Sequence, residues 1–542
     1  MSSFRESAPR YDDRTPSRRP PLVDVASAPA VPGSVTVGPA AWWRTRRPAD
    51  RLTAALLVGI VLVGLTVRLL WLNAVGFNSD EAVYAGQAAS IAGDRALFPY
   101  FPIFRAHPLL FQTTLSLAYH VGMSDVAGRL VSVAFGTATI VLTYLLGRTL
   151  YNRWVGLVAA LIIAVMPYQV IVTRQVLLDG PMVTFSTLAL LLAAKYGQTR
   201  RSGWLIGTGA ALGLTCLTKE TGVLLVGSVY AFLAVSQHLG TRLKTALIAL
   251  GVWLAVFLPY PVSLHFARHG STGQSFLAWQ LLRPPNHGWR FYAEVVPPAL
   301  GWEVVALATV ALVLAARRWS WRETLLVCWI LVPAVVFEIW AVKGYQYLLP
   351  ISTPVAVLAG VAVVWLAEAA PRNARKATAA LLVAAVALTC LLPTVARIRP
   401  SNSATFLAGS GGVPGGREAG LWIRDHVPEG AQMLALGPSM ANIIEFYGRR
   451  QVFGLSVSTN PLNRNPTYQP IANPDLAIRR NTLQYLVWDS FSASRSPYFS
   501  AGLRRYVDRY HGRVIHMESV QVHGADGTPV TKPVVIIYAV RP

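Results

Sequence analysis

Residues 109–122 read LLFQTTLSLAYHVG, and whether this stretch crosses a membrane decides on which side every later loop falls. Its fourteen residues would make a helix of only about 21 Å at 1.5 Å per residue, against about 30 Å of hydrocarbon. Gln112, Thr113, Thr114 and Ser116 make it polar as well. It therefore reads as a helix that lies in the interface or dips in and returns.

Composition establishes that there are spans to count. Of 542 residues, 53% are hydrophobic and 13% charged, a balance foreign to soluble proteins. Apolar runs near 52–72, 129–149, 154–173, 180–194, 203–218, 221–238, 245–263, 298–316, 323–342, 346–368 and 377–396 give eleven expected spans. The loops that then share a side with Arg44, Arg46, Arg47 and Arg51 hold thirteen cations, from Arg148 and Arg153 through to Arg372, Arg375 and Lys376. Three short loops opposite hold one cation each: Arg174, Lys219 and Lys343. The positive-inside rule puts the N-terminus in the cytoplasm and the C-terminus outside; counting 109–122 as a span would invert that asymmetry.

The expected organisation is a disordered cytoplasmic tail (1–48) rich in Pro, Arg and Ser, followed by a polytopic α-helical membrane domain (49–397). A Gly/Ser linker (398–416) leads to an extracytoplasmic soluble α/β domain (417–542). The α/β reading rests on helices near 417–426, 439–447 and 500–511 between short strands such as YLVWD and PVVIIYAV. The net charge of +23 gathers in the tail and short loops, which suits anionic lipid and not nucleic acid. Cys216, Cys328 and Cys390 lie inside apolar runs and read as small core residues.

This parity collects the acids Asp80, Glu81, Asp179 and Glu220 on the outer face, with Arg105, His107, Arg174, Lys219 and Lys343. Asn78 and Glu81 also fit a capping box, which accounts for one acid without any chemistry. Outer-side cations oppose the charge rule and ask for an anionic partner, either one of these acids or a phosphate. A carboxylate beside a phosphate site can deprotonate an attacking hydroxyl while cations stabilise the leaving group. The chain has no P-loop, no D-x-D motif and no cytoplasmic nucleotide domain, so the expected substrate is lipid-borne. His265, His269 and His287 mark an outer loop, 264–297, long enough to be a lid; their spacing is no metal signature. The rival reading, a transporter or flippase for a lipid-linked glycan, predicts midplane charges and repeated halves, which the sequence does not display.

NSDEAVYA, AHPLL, AGRLVSVAFGTATIVLTYLLGRTLY, TRQVLLDGPM, LTKETGVLL and YQYLLP occur in order between about residues 52 and 368. In these motifs the chain resembles the GT-C superfamily of polytopic glycosyltransferases, particularly the family 39 protein mannosyltransferases and the related aminoarabinose transferases of lipid A. The resemblance implies an inverting transfer of a hexose or pentose from a polyprenyl phosphate to an acceptor hydroxyl at the outer face of the cell membrane. The acceptor would be a protein, a glycolipid or a polysaccharide. Asp80 would be the general base with Glu81 in support, and Asp179 would orient donor or acceptor. Arg105, His107, Arg174, Lys219, Glu220, Lys343 and Tyr345 would form the substrate- and phosphate-binding set. A divalent cation is compatible with Asp80 and Asp179, and the metal stays open. Two positions depart from the pattern: HPLL has one proline where family chains often have two, and Gln346 precedes Tyr347 where they often have arginine.

Overall fold

The computed structural model describes residues 48–103, 106–267, 270–400, 412–523 and 526–542. The expected tail up to residue 47, most of the linker, Arg105 and His269 lie outside the described residues.

Helix α1 (Pro48–Leu69) leads to the pair α2 (Ser79–Ile91) and α3 (Leu110–Tyr119). Next come α4 (Asp125–Leu150), α5 (Arg153–Val165), α6 (Pro167–Thr173), α7 (Asp179–Thr199) and α8 (Ser202–Thr218). Then follow α9 (Val223–Val235), α10 (Leu243–Phe257), α11 (Pro259–Phe266), α12 (Gly270–Leu282), α13 (Phe291–Leu300) and α14 (Trp302–Ala315). Helices α15 (Trp321–Ile339), α16 (Ser352–Ala369) and α17 (Arg375–Ile398) complete the apolar part. The segment 109–122 is the ten-residue α3, whose Phe111, Gln112, Leu115, Ser116 and Tyr119 are buried.

Among the described residues, five stretches are long and apolar enough to cross a bilayer: Asp50–Leu69, Asp125–Leu150, Leu243–Phe266, Tyr345–Ala369 and Arg375–Ile398. Two bent pairs, α5 with α6 (57°) and α13 with the Trp302–Arg318 helix (93°), raise the number to seven. The remaining expected spans fall on helices that are shorter or more polar. The breaks have local causes. Pro167 supplies no N–H for the Ile163 carbonyl, and the buried Arg68 guanidinium donates there instead (3.2 Å), with a second bond to Ala164 O (2.9 Å). At the second break Gly301 takes φ +93°, behind Pro297 and Pro298.

The centre is built from α4–α7 and α16; the Tyr345–Ala369 stretch is 89% buried, against 17% for Arg375–Ile398. Small residues allow close approach: a Cβ at Gly147 of α4 would stand 2.8 Å from Gly156 Cα of α5. On the periphery, Leu243, Leu247, Leu254, Leu381, Leu388 and Leu392 point outward, as lipid-facing positions do.

Residues 416–539 form a five-stranded sheet in the order β2-β1-β3-β5-β4. Its strands are β1 (Gln432–Ala435), β2 (Gln451–Gly454), β3 (Tyr485–Asp489), β4 (Arg513–His523) and β5 (Pro529–Ala539). The first three are parallel; β5 runs antiparallel to β3 and makes a hairpin with β4. Helices α18 (Gly416–His426) and α19 (Pro438–Gly448) cover one face, and α20 (Pro474–Arg479), α21 (Ser490–Arg495) and α22 (Pro497–Arg509) belong to the other side. The α19 side shares one apolar layer with Phe77, α2 and α3. Polar ties fix this contact: Tyr447 Oη donates to Asp125 Oδ2 (2.7 Å) and accepts from the Phe77 N–H (2.7 Å). Asn442 Nδ2 donates to Ser79 Oγ (3.0 Å), and Arg449 pairs with Asp94 (3.0 Å).

Candidate active site

Helix α2 starts on Asn78, whose side chain accepts from the N–H groups of Asp80 and Glu81, while Glu81 reaches back to the Asn78 N–H (3.1 Å). Consecutive helical residues point about 100° apart, so the two acids part company here. Glu81 turns inward and is fully buried. Its oxygens take Nε and Nη2 of Arg129 at 2.9 Å each, and the Val176 N–H at 3.0 Å. The remaining Arg129 donors go to the carbonyls of Leu72 (2.7 Å), Val75 (2.8 Å) and Gly76 (3.0 Å). All five guanidinium N–H groups are thus satisfied, and the loop before α2 is tied to α4.

Asp80 turns the other way, into a cavity of about 550 Å3. Its carboxylate is accessible there and accepts no hydrogen bond from the described residues. The surrounding walls desolvate it and raise its pKa above the usual 3.8, against the opposing pull of Lys219 and His107. Lys219 lines the cavity with Tyr347 beneath its ammonium (4.9 Å) and the two Asp179 oxygens at 2.8 and 3.0 Å. His107 Nδ1 meets Glu220 at 2.9 Å, and its ring stands edge-on to Phe276.

Four expected site residues therefore line one cavity: Asp80, His107, Lys219 and Glu220. Asp179 stands behind Lys219. Arg174 is buried elsewhere, against the carbonyls of Leu70 and Ile398. Lys343 binds the carbonyls of Phe337 and Glu338, pairs with the Glu338 carboxylate (3.3 Å) and lies over Trp289 and Tyr292. The Tyr345 carbonyl accepts from Tyr168, and its hydroxyl side is engaged by Arg397. Among the described residues no group of three metal-ligating side chains converges. With both Asp179 oxygens on Lys219, the carboxylates present are a poor donor set for a divalent cation, and no step is derived through one.

The cavity also contains residues that the sequence reading did not select. The expected loop 264–297 is largely helical, and α12 lays Phe276, Trp279 and Gln280 along the cavity wall, followed by Arg283. Arg283 stacks on Trp279 (4.5 Å), forms no carboxylate pair among the described residues, and has a buried Nε without a partner. Its one sequence signal is an outer-face arginine, in RPPN, against the charge rule. Asn465, Thr467 and Tyr468 reach the cavity from the C-terminal domain. An apolar groove of Leu281, Val336, Ile339, Trp340 and Ala341 shares Leu281 and Trp340 with the cavity; Ile339 and Leu281 are outward-facing.

The fold recurs in solved structures. ArnT from Cupriavidus metallidurans, bound to undecaprenyl phosphate, superposes with TM-score 0.62 at 15% identity, over 89% of this chain and 97% of that one. The chain has the fold of the GT-C glycosyltransferases. A second GT-C structure, the archaeal oligosaccharyltransferase AglB from Archaeoglobus fulgidus with an inhibitory peptide and a dolichol-phosphate, matches with TM-score 0.58 at 14% identity, over 89% of this chain and 74% of that one. In sequence, the family described as dolichyl-phosphate-mannose-protein mannosyltransferase matches residues 106–265 of this chain. The Saccharomyces cerevisiae dolichyl-phosphate-mannose–protein mannosyltransferase 1 is 28% identical over 231 residues, which are 38% of this chain and 28% of that protein. The chain thus matches less than a third of the length of this curated relative.

Proposed function

We propose that the protein is an inverting glycosyltransferase that takes a sugar from a polyprenyl phosphate at the outer face of a cell membrane. The reading includes the eleven-span topology, with the N-terminus inside and the C-terminal domain outside. One observation carries it: the carboxylate of Asp80, unpaired among the described residues, lines one cavity with Lys219 and Arg283, and that cavity shares Leu281 and Trp340 with an apolar groove. Asp80 removes the proton of an acceptor hydroxyl, and that oxygen attacks the anomeric carbon opposite the phosphate. The carbon–oxygen bond to phosphate breaks, polyprenyl phosphate leaves, and the configuration inverts. Lys219 and Arg283 stabilise the charge that grows on the phosphate, beside the aromatic wall of Phe276 and Trp279. Glu81 acts one step removed, through Arg129, by holding the loop that aims Asp80. The Leu281/Trp340 groove gives the isoprenoid chain a route to the lipid.

The test uses the full-length protein in lipid nanodiscs with radiolabelled polyprenyl-phosphate mannose, arabinose and aminopentose in turn. Release of polyprenyl phosphate with one of these donors is expected. Movement of an intact donor across the bilayer without cleavage would replace the enzyme with a flippase.

A further inference from the structure

The face of the C-terminal sheet turned away from α2 and α3 carries a groove of about 680 Å3 between α22 and β5. Helix α22 packs on the sheet through the buried Leu503, while Ser500 and Ala501, small residues of the same helix, leave the space beside β5 open. The floor is Trp488 of β3 with Ile536 and Tyr538 of β5, all half-buried. Met517 and Val514, the β4 partners of Ile536 and Tyr538, are exposed and carry the apolar floor on to the edge of the sheet. Volume and lining are those of a small-ligand site, mostly apolar with a few converging polar groups.

Those polar groups are free to bind. Arg504 and Asp508 stand one turn apart on the exposed rim, and neither side chain forms an ion pair or hydrogen bond among the described residues. Both reach the phenol of Tyr538: burial raises its pKa above 10, Arg504 opposes the rise and Asp508 adds to it. Trp488 Nε1 donates to Ser500 Oγ (3.0 Å), which fixes the plane of the indole and leaves the Ser500 proton to be donated.

Three properties restrict the occupant. Strand β5 is paired on both sides, by β3 and β4, so the floor offers no backbone groups to which a peptide could add as a strand. The charges in the described lining are one Arg504 and one Asp508, so an anionic polymer gains no net attraction. The surface is concave, and a second copy brought groove to groove would fill neither. A guanidinium and a carboxylate side by side give and accept hydrogen bonds from neighbouring hydroxyl groups, and an aromatic face covers the C–H face of a pyranose or furanose ring.

We infer that this groove is a carbohydrate-binding site, separate from the reaction cavity, that holds an uncharged hexose or pentose unit of a glycan on Trp488 and Tyr538, with Arg504, Asp508 and Ser500 bonding its hydroxyls. It stands apart from the donor reading of the first cavity, and no bond is made or broken in it.

The test screens the full-length protein in lipid nanodiscs by saturation-transfer NMR against neutral hexose and pentose oligosaccharides, uronic-acid oligosaccharides and a Ser/Thr-rich peptide. Binding of neutral oligosaccharides is expected. Ala501→Trp, which fills the groove from an exposed helix position, and Arg504→Ala should each raise the Kd about tenfold with the melting temperature unchanged. Asp80→Asn should leave the Kd as it is. Wild type that binds no neutral oligosaccharide would overturn the inference, as would preference for the uronic acids or the peptide. So would a Kd unchanged in both groove variants, or binding lost in Asp80→Asn, which would put the glycan in the reaction cavity instead.

Discussion

The two sides of α2 treat neighbouring carboxylates in opposite ways. Behind the helix, Glu81 and Arg129 form a sealed knot in which every guanidinium N–H has a partner. In front, Asp80 faces an open cavity with no bonded partner among the described residues, and Lys219 there is held by Asp179. A saturated ion pair has no capacity left for a substrate and serves geometry. An unsaturated one is free to exchange protons, and its cost in the resting protein is offset by the rigidity of the knot behind it.

That contrast breaks most sharply at Asp80. Asp80→Asn should lower transfer by about 10²–10⁴-fold while the melting temperature holds, measured as single-turnover release of polyprenyl phosphate beside thermal unfolding. Because the cavity walls raise the Asp80 pKa, the acid limb of the wild-type kcat/KM profile should lie above pH 3.8, and Asp80→Asn should abolish it. Glu81→Gln should do the reverse. It leaves Arg129 without its counter-charge and should cost about 3–5 kcal/mol of stability, seen as a lowered melting temperature. A stable Glu81→Gln protein with lost activity would move Glu81 to the front side of the comparison.

Arg283→Ala sharpens the contrast at smaller scale. Among the described residues the side chain has no carboxylate partner, so its loss should raise the donor KM about tenfold with little change in melting temperature. A third kind of carboxylate is sealed, with no cation paired to it among the described residues, and its effect appears only below neutral pH. Asp489 is buried, its Oδ1 accepts from the Ser492 N–H, and burial pushes its pKa from 3.8 to about 6. The folded state then holds the proton more tightly than the unfolded one. Stability should fall as pH rises from 3.8 through about 6 and be flat above, by roughly 3 kcal/mol at most. Subtracting the melting curve of Asp489→Asn from that of wild type isolates the slope.

Asp80 was visible in the sequence because a local motif and a charge count over short loops both bear on it. Its separation from Glu81 was not, since the partner Arg129 lies 48 positions away and pairing belongs to tertiary structure. Arg129 did carry a signal, a lone cation early in an apolar helix that must find a counter-charge. Helix α12 read as loop because its apolar residues are spread around all its sides, with no stripe to mark a helix. The return of Asn465–Tyr468 to the cavity wall left no trace in the sequence at all: nothing local marks a contact across nearly four hundred positions. The span count illustrates the opposite limit. Apolar length finds five unbroken stretches, central and peripheral alike, whereas two further ones are broken at Pro167 and Gly301, the first held by Arg68.

The Tyr447 hydroxyl joins Asp125 at the head of α4 to the Phe77 N–H just before the acid-bearing helix. The unit that can be exchanged between relatives is therefore not the C-terminal domain as it lies along the chain. A chimera cut in the linker would separate Tyr447 and Asn442 from the loop they hold. One that carries residues 73–125 together with the domain keeps the tie intact, and the loop that leads into Asp80 stays held.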